Sequence, residues 1–98
     1  MNLKEWRREI DSIDEQLVAL LEARAAMARK IGALKAAAGL PVVDRAREAE
    51  ILRNVLRRRK GILKREAIIR IFRAVIGESR SVQAENPAPG SVGTERLL

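Results

Sequence analysis

Between Leu3 and Lys35 the chain contains no proline, and apolar side chains recur at Leu3, Trp6, Ile10, Ile13, Leu17, Leu20, Met27, Ile31 and Leu34, in steps of three and four broken only between Leu20 and Met27. This spacing keeps one face of a 3.6-residue helix apolar and predicts a single amphipathic helix over the whole stretch. Ala36 to Ala38 can finish its last turns, Gly39 can take the left-handed cap, and Pro41 cannot continue it. At about 1.5 Å per residue such a helix spans roughly 50 Å, whereas a compact globule of this length has a radius of gyration near 13 Å. Two further short helices cannot cover so long a stripe. The simplest solution is an oligomer in which the first helices of two copies pack together, an intertwined homodimer with two-fold symmetry.

The remaining residues read as two shorter helices. After the loop Gly39-Leu40-Pro41-Val42-Val43, Asp44 is a suitable N-cap for a second helix with Ile51, Leu52, Val55 and Leu56 on its apolar face, ended by the basic run Arg57-Arg58-Arg59-Lys60 and Gly61. A third helix is predicted from about Lys64 to Gln83, with Ile68, Ile69, Phe72, Val75 and Ile76 along one side. No segment reads as a strand, so the expected class is all-α, with one helical domain over residues 1–85. Residues Asn86 to Leu98 carry Pro87, Pro89, Gly90 and Gly93 without periodicity and read as a flexible tail.

Composition narrows the chemistry. Among 98 residues there is no cysteine and no histidine, which removes thiolate nucleophiles, imidazole bases and the usual soft metal ligands. Trp6 and Phe72 are the only aromatics, too few to stack the bases of single-stranded nucleic acid. A net charge of +7 favours an anionic partner. The amino terminus becomes charged at once and no window reaches the roughly 18 apolar residues of a membrane helix, so a cytoplasmic protein is expected.

The break in the long stripe holds the functional signal. Position 24, midway between Leu20 and Met27, should be apolar and is Arg24. An unpaired guanidinium in a seam costs several kcal/mol, so an anion should meet it. Lys35, eleven residues on, returns to within about 20° of the same direction. On the second helix Arg47 and Glu48 lie four residues before Ile51 and Leu52, extending its apolar face into the first turn. On the third, the line Ile68, Phe72, Val75 continues to Ser79 and Gln83. Taken singly, each has a bland reading: a snorkelling arginine, a lysine complementing the helix dipole, solvated polar residues at fraying ends. Their coincidence on three helices points instead to a cationic pocket for a small dianion.

Through these residues the chain resembles the all-helical, AroQ-type chorismate mutases. The similarity runs through Trp6-Arg7-Arg8-Glu9-Ile10-Asp11, Leu20-Leu21-Glu22-Ala23-Arg24, Ile31-Gly32-Ala33-Leu34-Lys35, Pro41-Val42-Val43-Asp44-Arg45-Ala46-Arg47-Glu48, and Ile76-Gly77-Glu78-Ser79 to Gln83. It implies an intertwined dimer with two sites, each completed by Arg7 from the other copy. Helical phase agrees, since Arg7 lies about 25 Å and 100° away from Arg24 on one helix and cannot join it at one small ligand within a chain. The reaction implied is the rearrangement of chorismate to prephenate, an intramolecular step needing no cofactor, metal or nucleophile. By resemblance Arg7 and Arg24 clamp the two carboxylates, Lys35 and Gln83 donate to the ether oxygen, Glu48 and the backbone at Asp44 handle the ring hydroxyl, and Arg47 and Ser79 complete the polar wall. Lys35, Gln83 and Arg24 are thus the expected catalytic residues. Only a mutase-like part is recognisable, which favours a monofunctional enzyme, and Gly77 stands where a better helix former is expected.

Two alternatives follow from the same sequence. An isochorismate-pyruvate lyase shares the fold and much of the pocket. A basic helical nucleic-acid-binding protein is prompted by the run Arg57 to Lys60, although that run reads more simply as a solvated face.

Overall fold

A computed structural model describes residues 1–85; the tail expected from Asn86 to Leu98 lies outside the described residues. The described chain is three helices: α1 (Leu3–Ala38), α2 (Arg45–Arg57) and α3 (Arg65–Ala84). No strand occurs among the described residues.

The helix ends follow the local chemistry of the sequence. Asn2 caps α1 by accepting a hydrogen bond from the Glu5 amide at 2.9 Å. At the other end Gly39, with φ 69°, takes the left-handed conformation that closes the helix, and the Leu40 amide donates back to the Lys35 carbonyl at 2.8 Å. Asp44 caps α2, its carboxylate accepting from the Arg47 amide at 3.0 Å. The second helix runs one residue into the basic run, to Arg57, where a cation suits the negative end of the helix dipole. The third begins at Arg65, with Lys64 as an N-cap lacking a side-chain cap bond, and ends at Ala84.

Packing is asymmetric. α3 lies against both α1 and α2, while α1 and α2 have no direct packing and face one another across a gap. The molecule is correspondingly elongated, 57 × 33 × 14 Å with a radius of gyration of 17.7 Å, well above the value of about 13 Å for a compact domain of this size. Ala28 and Ile76 are the only buried hydrophobic side chains among the described residues. The apolar stripe of α1 lies open: Trp6 is 55% exposed, Leu17 51% and Leu20 68%. Fully burying a side chain of this kind contributes about 1.5–3 kcal/mol, so covering a handful of them would match the whole net stability of an ordinary domain.

Gly77 sits inside α3, and a Cβ added there meets nothing within 4 Å. Gly77→Ala is therefore expected to raise stability by about 0.5–1 kcal/mol, measured by urea unfolding. A loss of stability would show that another surface packs on that face.

Candidate active site

Where α1 and α2 face each other, bridged by α3, they enclose a hollow of about 350 Å³. Its apolar lining comes from Met27, Ala28, Ile31, Val42, Ile51 and Ile76, and its polar lining from Arg24, Lys35, Asp44, Arg47, Glu48, Ser79 and Gln83. All the residues singled out from the sequence except Arg7 therefore meet at one place. Arg7 is exposed near the far end of α1 and does not line the hollow of its own chain.

Each polar group is held by a specific partner. The Arg24 guanidinium donates to the Ser79 hydroxyl, which in turn donates to the Val75 carbonyl at 3.0 Å. The Lys35 ammonium donates to the Val42 carbonyl and to Gln83 Oε1, both at 2.8 Å. It thereby joins the end of α1, the connection to α2 and the end of α3. Neither Arg24 nor Lys35 is paired with a carboxylate among the described residues. Their partners are neutral, so their charge is left to the hollow, where few atoms separate it from any bound anion and screening is weaker than in water. Arg47 borders the hollow but its side chain is 58% exposed and pairs with Glu50 one turn on. Asp44 spends a carboxylate oxygen on its capping bond.

Glu48 differs from its neighbours. Its side chain is only 17% exposed, and both carboxylate oxygens are taken by Arg80 of α3: Nε donates to Oε2 at 2.7 Å and a terminal nitrogen to Oε1. Those hydrogen bonds hold the carboxyl below its usual range, with the Arg80 and Arg45 charges adding and with burial and Asp44 opposing. Arg80 was not among the residues singled out from the sequence. It follows Ser79 by one position, about 100° round the helix from it, and on its own reads as a surface cation. The available signal was Glu48 itself, an acid at the inner edge of a helix that requires a cation opposite. The Val42 carbonyl has no sequence signature at all.

A folded Glu48 that holds its proton less tightly than in the unfolded chain contributes stability above the ordinary carboxylate value of about 4.3 and loses it as pH falls through the depressed folded value. The melting temperature is accordingly expected to be insensitive to this group between pH 8 and about pH 5 and to fall on further acidification. In Glu48→Gln part of that acid dependence should be gone, which melting curves across the series would show.

A family model described as chorismate mutase type II matches residues 6–84. Among curated proteins, the chain is 41% identical over 85 residues to a bifunctional chorismate mutase/prephenate dehydratase of Aquifex aeolicus, covering 83% of this chain and 24% of that protein. A protein of the same description from Neisseria gonorrhoeae is 40% identical over 78 residues, covering 79% of this chain and 21% of the relative. One from Stutzerimonas stutzeri is 31% identical over 87 residues. The chain thus spans about a quarter of the length of these relatives. The matched region contains nearly all of α1 and the whole of α2 and α3, together with every polar residue of the hollow, and on that ground the chain belongs to the chorismate mutase type II family.

Proposed function

We propose that this chain catalyses the rearrangement of chorismate to prephenate, at sites formed between two copies of the chain. The observation that carries the reading is the pair Arg24 and Lys35, both facing one hollow and both held by neutral partners only, which leaves two positive charges for a dianionic ligand. The rearrangement breaks a carbon–oxygen bond and forms a carbon–carbon bond within one molecule, so it asks the protein for no nucleophile. It asks for a folded substrate conformer and for stabilisation of negative charge at the ether oxygen.

In this reading Arg24 holds one carboxylate with its planar fork, pre-aimed by Ser79. Lys35 is fixed by two acceptors and faces the ether oxygen, with Gln83 beside it as the second donor. Glu48, together with the backbone at Asp44, receives the ring hydroxyl; a carboxylate offers about four lone-pair sites, so its bonds to Arg80 leave acceptor capacity. Arg47 closes the exposed edge. The second carboxylate falls to Arg7 of a second copy, whose α1 covers the open apolar stripe and brings that arginine to the hollow. The enzyme is read as cytoplasmic, and no helix among the described residues is long and apolar enough to cross a membrane.

The deciding experiment is incubation with chorismate and, separately, with isochorismate. Formation of prephenate from chorismate is expected. Salicylate and pyruvate from isochorismate as the dominant outcome would replace this reading with the lyase, and no turnover of either would remove both.

A further inference from the structure

We propose that Arg80 is a positioning residue that keeps the Glu48 carboxylate from neutralising the cations of the hollow, an inference that rests on the mutase reading. Three cations, Arg24, Lys35 and Arg47, line the hollow, and Glu48 lines it with them. A carboxylate set among three cations in a partly buried space is drawn to the nearest of them, since the attraction grows as water is excluded. A Glu48 paired with Lys35 or Arg24 would occupy the charge that a dianion needs and would have to be displaced at each binding event. The structure resolves this conflict from outside the hollow. Arg80 does not line it, yet it reaches across from α3 and takes both oxygens of Glu48, in the bidentate arrangement that fixes a carboxylate most firmly. Behind the pair, Arg45, Arg73 and Arg80 line a separate hollow that also includes Glu48, so the outer side attracts the carboxylate as well. Glu48 is thereby kept in place as an acceptor while Arg24 and Lys35 retain neutral partners.

A brace between α2 and α3 would be the plain structural role of such a pair, and the two roles differ in a sign. If Arg80 only braces, removing either partner breaks the same contact, and Glu48→Gln added to Arg80→Ala brings no improvement. If Arg80 sequesters the charge, Arg80→Ala leaves a loose carboxylate inside the hollow, and Glu48→Gln removes it.

The test is steady-state kinetics on chorismate for the wild type, Arg80→Ala, Glu48→Gln and the double variant, each checked for helix content and melting temperature. The expected result is a KM for Arg80→Ala at least tenfold above wild type with a smaller change in kcat, and a KM for the double variant brought back toward that of Glu48→Gln. Arg80→Lys, which keeps a one-pronged hold, should lie between wild type and Arg80→Ala, and it serves if Arg80→Ala does not fold. A KM for Arg80→Ala within twofold of wild type, or a double variant no better than Arg80→Ala, overturns the proposal. Absence of activity in the wild type would instead sink the mutase reading beneath it.

Discussion

Replacing Lys35 by alanine is expected to lower kcat on chorismate by about a hundredfold to a thousandfold, the usual loss when one donor to a developing oxyanion is removed. The ammonium is fixed by two acceptors, the Val42 carbonyl and Gln83 Oε1, so its position is set before substrate arrives and nothing need reorganise as the carbon–oxygen bond breaks. Since the charge on the ether oxygen grows toward the transition state, the loss should fall mainly on kcat, with a smaller rise in KM. Lys35 also ties three segments together, and a control is needed for that role. Lys35→Arg keeps a cation there; activity at wild-type level in Lys35→Ala, with the fold intact by circular dichroism, would exclude the lysine from catalysis.

Mixing two inactive variants is expected to restore activity. Arg7→Ala and Arg24→Ala should each lose most turnover alone, because each removes one of the two guanidiniums proposed to hold the substrate carboxylates. If each site takes Arg24 from one copy and Arg7 from the other, a mixed dimer of the two variants contains one complete site and one doubly damaged one. Random reassortment after refolding together makes half of the dimers mixed, so recovery should approach about a quarter of the wild-type rate. Recovery no greater than the sum of the separate variants would exclude a shared site. The physical basis is the length of α1: one continuous helix of 36 residues carries both side chains and holds Arg7 and Arg24 about 25 Å apart along its axis.

Much of the fold was legible from local chemistry. The first helix ends where Gly39 and Pro41 require it to end, and Asp44 caps the second as an aspartate before an apolar period should. Departures at the ends of α2 and α3 amount to a residue, because the terminal turns are decided by small terms such as the favourable place of Arg57 at a helix C-terminus. The candidate site was legible for a related reason. A polar residue at a position that the apolar period reserves for the core is conspicuous, and Arg24, Glu48, Ser79 and Gln83 are all of that kind. Arg80 is not: it interrupts nothing, since a cation on the outer side of a helix is the ordinary case.

Helix lengths, their caps, the open stripe along α1 and the residues that interrupt each stripe were all determined by the sequence alone, because each depends on neighbours within a turn or two. Which of those residues touch was decided only by the tertiary structure. Lys35 and Gln83 are 48 positions apart and Glu48 and Arg80 are 32 apart, and each pair meets only because α3 packs on α1 and α2 together and leaves a gap between them. Helical periodicity sets the direction in which a side chain leaves its own helix. The loops and the packing of one helix on another set what it finds there, and neither has a period to read.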